Sequence, residues 1–127
     1  MKLKSLLIKL PAIFLTIISW VLSSRTNIEM PGFAFSDKFV HLVCFGALAF
    51  CWSLLFSFDK WCEKPLKHLL IVILIVSCYG IIDEIHQSFV PGRFPSVYDW
   101  IADTLGAILG GTAGFILAKI IKTKAKE

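Results

Sequence analysis

Tyr79–Gly106 reads YGIIDEIHQSFVPGRFPSVYDWIADTLG. Asp83, Glu84, His86, Gln87, Arg93, Asp99 and Asp103 all fall within 21 positions of it. Long apolar runs lie on both sides. Ionisable side chains are expensive in hydrocarbon, so such a density inside apolar sequence marks a site or a structural network. The stretch also carries its own break. Pro91 and Gly92 stop one helix, and Ser96 opens the next.

The remainder of the chain supplies the setting. Its 127 residues suffice for one domain, taken here as a single transmembrane domain over 1–127. Hydrophobic residues make up 57% and mean hydropathy is +0.77, which points away from a soluble globule. The net charge of +4 does not predict a nucleic-acid partner, because most basic residues sit at the ends of apolar runs. Cys44, Cys51, Cys62 and Cys78 form no CxxC pair, so neither a disulfide framework nor a cysteine zinc site is expected. The basic N-terminus and the run after it look like a signal peptide at first sight. The run is long for that and has no A-x-A site, so a retained first helix is expected.

Four apolar segments approach the length needed to cross about 30 Å of hydrocarbon. They run over about 6–23, 37–58, 65–89 and 97–121. The expected fold is all-α: an integral membrane four-helix bundle with short loops. Lys2, Lys4, Lys9, Lys60, Lys64, Lys67, Lys119, Lys122, Lys124 and Lys126 fall on one side of such a bundle. Arg25, Lys38 and Arg93 fall on the other. The positive-inside rule then makes both termini cytoplasmic. Trp20 and Trp100 are expected at the outer interface, and Trp61 and His68 at the inner one.

This topology gathers the polar residues at the outer end of three helices. The second segment brings Asp37, Lys38 and His41. The third brings Asp83, Glu84, His86 and Gln87. The loop and the fourth bring Arg93, Ser96, Asp99 and Asp103. On a helix Asp83, His86 and Gln87 share a face, with Glu84 about 100° away. Ser96 is expected to N-cap the fourth helix, with Asp99 completing a capping-box pattern. Ala102, Gly106, Gly110, Gly114 and Ala118 recur every four residues, a stripe that admits close approach of another helix in lipid. Spacing leaves open whether that helix belongs to the same chain.

Asp37-Lys38-x-x-His41, then Asp83-Glu84-x-His86-Gln87-x-Phe89-x-Pro91-Gly92-Arg93, then Ser96-x-x-Asp99-x-x-Ala102-Asp103-Thr104-x-Gly106 resembles the VanZ-like family. The resemblance implies a small multi-pass protein of the bacterial cytoplasmic membrane. It also implies a link to low-level resistance to teicoplanin-type glycopeptides, which act on cell-wall precursors outside the membrane. Family members often carry Asn where this chain has Asp103.

Several roles for the cluster stand side by side. In one, the site recognises or modifies an envelope amphiphile entering from the bilayer. Asp83, Glu84, His86 and Asp99 are then the catalytic candidates. Asp37, Lys38, His41, Gln87, Arg93, Ser96 and Asp103 are the substrate-binding ones. Arg93 would clamp a phosphate or carboxylate. In another, His and carboxylate side chains hold a divalent metal, although no HExxH pattern occurs and no cofactor is expected. In a third, the network only fixes helix register. A proton relay for transport is the fourth. The lipid bilayer is the one partner that the sequence implies throughout.

Overall fold

The computed structural model describes residues 2–26 and 32–125, with side chains from Leu7 onward. The side chains of Lys2, Lys4 and Lys126, counted above for orientation, lie outside the described residues. The described chain is all-helical: α1 Lys2–Ser23, α2 Ser36–Ser53, α3 Phe58–Glu63, α4 Pro65–Gln87 and α5 Val97–Lys124. α4 and α5 are long and apolar enough to cross a membrane. Leu7–Ser23 of α1 is a shorter apolar helix. Large apolar side chains cover much of the exterior, and several carboxylates lie inside beside the apolar core. Phe14, Leu66, Leu70, Leu74 and Leu109 are more than half exposed, whereas Asp83 and Asp103 are buried. An apolar exterior of that kind, with two helices of spanning length, suits a membrane protein.

The helices begin and end for local reasons. Pro65 starts α4 at a position where no amide donor is needed. α2 stops at Ser53, five residues short of the expected 58. Leu54, Leu55 and Phe56 each donate to the carbonyl three residues back, which tightens the chain into a turn. α3 follows where the sequence suggested only a loop. Ser57 caps it by accepting from the Lys60 amide at 3.4 Å.

α2 and α5 form the closest pair. The five-membered small-residue stripe of α5 is buried, and its three glycines lie against α2 of the same chain. A Cβ at residue 106 would run into the Leu42 carbonyl and stand 2.9 Å from the Gly46 amide. One at residue 110 would run into the Gly46 carbonyl oxygen. Backbone meets backbone here, so only glycine fits. Beside the seam, Phe45, Leu48, Ala49, Val72, Val76 and Ala107 belong to the apolar core.

Trp61 belongs to this interior and not to an interfacial belt. It is 1% exposed, and its indole N–H donates to the Ser53 carbonyl at 3.0 Å, closing the C-terminus of α2. His68 is also buried, packed on Phe56 and Trp61. Trp100 is half-buried, its indole N–H donating to Ser77 on α4. α1 joins through polar contacts: Tyr79 Oη lies 2.9 Å from Ser19 Oγ and donates to the Thr16 carbonyl.

Candidate functional site

One end of the bundle collects the C-terminal ends of α1 and α4 and the N-terminal ends of α2 and α5. Contacts between these ends define it: Ser24 with His86, Lys38 with Asp99, His41 with Asp103, and Ser96 with Glu84. The opposite end carries Lys9, Lys60, Lys64, Lys67, Lys119, Lys122 and Lys124 among the described side chains. There Lys122 reaches Asp59 at 3.1 Å.

Four carboxylates, Asp83, Glu84, Asp99 and Asp103, are buried at the first end. Each is held differently. Asp103 is 0% exposed, and its Oδ1 sits 2.8 Å from His41 Nδ1. Gly80 on α4 makes room for it. Asp99 Oδ1 lies 2.8 Å from Lys38 Nζ, close enough for an ion pair but too poorly aligned for a hydrogen bond. Lys38 also pairs with the half-exposed Asp37 beside it. Glu84 Oε2 accepts from the Ser96 amide at 2.7 Å. Asp83 Oδ2 accepts from Gln87 Nε2 at 2.9 Å. Asp83 Oδ1, Glu84 Oε1 and Asp103 Oδ2 are buried without a hydrogen-bond partner.

Ser96 stands at the N-cap position of α5, but its hydroxyl makes no cap bond. Its amide serves Glu84 instead, which ties the start of α5 to the end of α4. The capping box expected from Ser96 and Asp99 does not form, because Asp99 turns to Lys38.

His86 lies apart from the other candidates. Its ring stacks on Trp20 of α1 at 4.0 Å, and its Nε2 sits 2.8 Å from Ser24 Oγ. α4 has neighbours on two sides, so its polar residues divide between them. Asp83, Glu84 and Gln87 are buried, while His86 turns to α1.

Arg93 is aimed by a turn. The Arg93 amide donates to the Val90 carbonyl at 3.1 Å, with Pro91 and Gly92 between and Gly92 at φ +78°. Proline then glycine at positive φ is the type II pattern. Among the described residues Arg93 has no ion-pair partner, and its Nε is buried without a hydrogen-bond acceptor.

Two clefts meet at this arginine. One, of about 400 Å³, is lined by Asp37, Lys38, Gln87, Arg93, Ser96 and Asp99 together with Gly92, Phe94 and Pro95. The other, of about 100 Å³, is lined by Leu22, Val40, Cys44 and Phe45, with Ser19, Ser23, His41, Asp83, Gln87 and Arg93. Gln87 and Arg93 line both. A third cleft, of about 350 Å³, reaches Glu84 between Ile81, Ile85, Pro95 and Trp100. Sequence reasoning had no signal for Gly80 or for the apolar wall of Val40 and Phe45, since neither stands in a polar pattern.

The family model described as VanZ/LLP1 matches residues 4–122 of the chain. No curated protein and no solved structure matches it.

Proposed function

This chain belongs to the VanZ/LLP1 family, and from that premise we propose that it is a four-span protein of the bacterial cytoplasmic membrane that recognises the head group of an anionic envelope amphiphile. Both termini face the cytoplasm in this reading. The asymmetry of basic residues supports that orientation and turns the acidic end outward. Cells carrying the protein would then differ in susceptibility to teicoplanin-type glycopeptides, whose target is presented at the same membrane face.

One observation carries the proposal. The charged cleft and the apolar cleft share Gln87 and Arg93 in their walls. An amphiphile has the same construction, with a charged head joined to an apolar chain. Its head would take the charged cleft, where Lys38 and Arg93 offer donors to a phosphate or carboxylate. Its chain would follow Leu22, Val40, Cys44 and Phe45 toward the bilayer. The buried, unpartnered Nε of Arg93 supports a missing acceptor. Asp99 lines the charged cleft beside the head, Asp83 and His41 line the apolar one, and Glu84 opens on the third. A purely packing role would leave Arg93 paired with Asp37, Asp83 or Asp99, the carboxylates that share its two clefts.

The experiment compares wild-type protein with Arg93→Gln and Lys38→Gln in nanodiscs of neutral lipid doped with phosphatidylglycerol or a lipid-linked cell-wall precursor. Native mass spectrometry reads retained lipid. Wild type should retain an anionic species, and Arg93→Gln should lose about ten-fold or more, as expected when a charge-assisted contact is removed. Equal retention by wild type and Arg93→Gln would sink the proposal.

A further inference from the structure

The buried carboxylates outnumber their cations. Among the described residues only Lys38 and His41 come within ion-pair distance of the buried four, at Asp99 and Asp103. Lys38 divides itself between Asp99 and Asp37. Asp83 and Glu84 have no cationic neighbour at that distance among the described residues. A buried carboxylate oxygen without a partner carries a desolvation cost that something must offset.

His41, Glu84 and Asp99 supply the place for it. One ligand atom from each lies within 4.8 Å of the other two. The three come from α2, α4 and α5: the glycine seam brings α2 to α5, and the Ser96 amide holds Glu84 of α4 to the start of α5. Metal–donor distances of about 2.0–2.2 Å put donors roughly 3–3.5 Å apart around an ion, so small side-chain rotations close the site.

Two independent features point to a metal ion and not to a mere acidic cluster. First, His41 has one nitrogen fixed. Its Nδ1 sits 2.8 Å from Asp103 Oδ1, which leaves Nε2 to face a ligand. A carboxylate behind a ligating imidazole sets its tautomer and raises its basicity. Second, Glu84 is 8% exposed, and its Oε1 is buried without a hydrogen-bond partner while Oε2 is spent on the Ser96 amide.

We propose that His41, Glu84 and Asp99 bind one divalent transition-metal ion, with Asp103 as the positioning residue behind His41. One imidazole and two carboxylates suit Zn²⁺ or Mn²⁺ better than the all-oxygen sites preferred by Mg²⁺ and Ca²⁺. Lys38 is the built-in rival. Its ammonium balances Asp99 when no ion is bound, and it retains Asp37 when the ion takes its place. Three protein donors leave further positions open to water or to an anionic ligand. His86 takes no part, because it is held by Trp20 and Ser24.

The test uses full-length protein without a polyhistidine tag, stripped with chelator and dialysed against Zn²⁺, Mn²⁺ or Mg²⁺ separately. Elemental analysis should give one equivalent of Zn²⁺ or Mn²⁺. Glu84→Gln with Asp99→Asn should abolish uptake. Asp103→Asn should weaken affinity by about ten-fold or more at unchanged stoichiometry. Should the double variant fail to fold, Co²⁺ substitution of the wild type replaces it: visible d–d bands with a histidine-nitrogen signature are expected. Folded wild type that takes up neither Zn²⁺ nor Mn²⁺, a double variant that binds as well as wild type, or Co²⁺ without that signature would each overturn the proposal.

Discussion

Gly80 and Asp103 face each other across α4 and α5, and a Cβ on residue 80 would stand 2.9 Å from Asp103 Oδ2 and 3.2 Å from its Cβ. The missing side chain on one helix is the space for the carboxylate on the other. That carboxylate in turn holds His41.

Gly80→Ala should therefore act on His41 without touching it. The added methyl presses on a side chain that is fully buried and has little freedom to yield. Overpacking of this kind costs about 1–3 kcal/mol. The measurement is a denaturation curve in detergent, run as a double-mutant cycle with Asp103→Ala. The penalty of Gly80→Ala should shrink once Asp103 is truncated. A penalty that stays the same in both backgrounds would show that residue 80 is tight for another reason.

Three other glycines should form a graded series. At Gly110 a Cβ meets the Gly46 carbonyl of α2, and backbone cannot step aside. Gly110→Ala should cost at least about 3 kcal/mol or prevent folding, beyond the usual range for one methyl. At Gly111 the nearest atom is Leu69 Cδ1 at 2.9 Å, the end of a side chain that can rotate, so Gly111→Ala should cost about 1 kcal/mol. Gly32 has nothing within 4 Å among the described residues, and Gly32→Ala should be silent. Melting temperatures of the three variants in one detergent check the order. Equal effects at 110 and 111 would contradict the backbone contact.

The two histidines at the polar end should separate cleanly. His86→Ala removes a ring stacked on Trp20 and a bond to Ser24, which ties α1 to α4. It should lower stability by about 0.5–1.5 kcal/mol, the range for stacked rings, and leave metal uptake unchanged. His41→Asn should do the reverse in uptake. Elemental analysis of both variants decides, and loss of metal in His86→Ala would place that residue in the site after all.

α4 and α5 were legible because apolar runs of membrane length admit few other structures. Three details were not. Leu54, Leu55 and Phe56 continue the apolar pattern of α2, yet the backbone tightens there and α3 begins after it. Hydropathy does not register that change. Trp61 reads as an interfacial anchor by residue type, but Ser53 offers its carbonyl and the core closes around it. His86 reads as a partner of Asp83 by helical spacing. One face per helix is too simple for α4, which has α1 on one side and α2 with α5 on the other. The polar residues themselves were legible from their cost in lipid. Which of them meet depended on packing, and Gly80 decides that without leaving any polar trace.

The seam between α2 and α5 has a mechanical meaning. His41 lies five residues before Gly46, and Asp103 three before Gly106. Both sit within about two turns of the point where the two backbones touch. Their separation is thus gauged from a contact between main chains, which no rotamer can lengthen. The seam works as a surveyor's datum. The distance between imidazole and carboxylate keeps that contact as its reference.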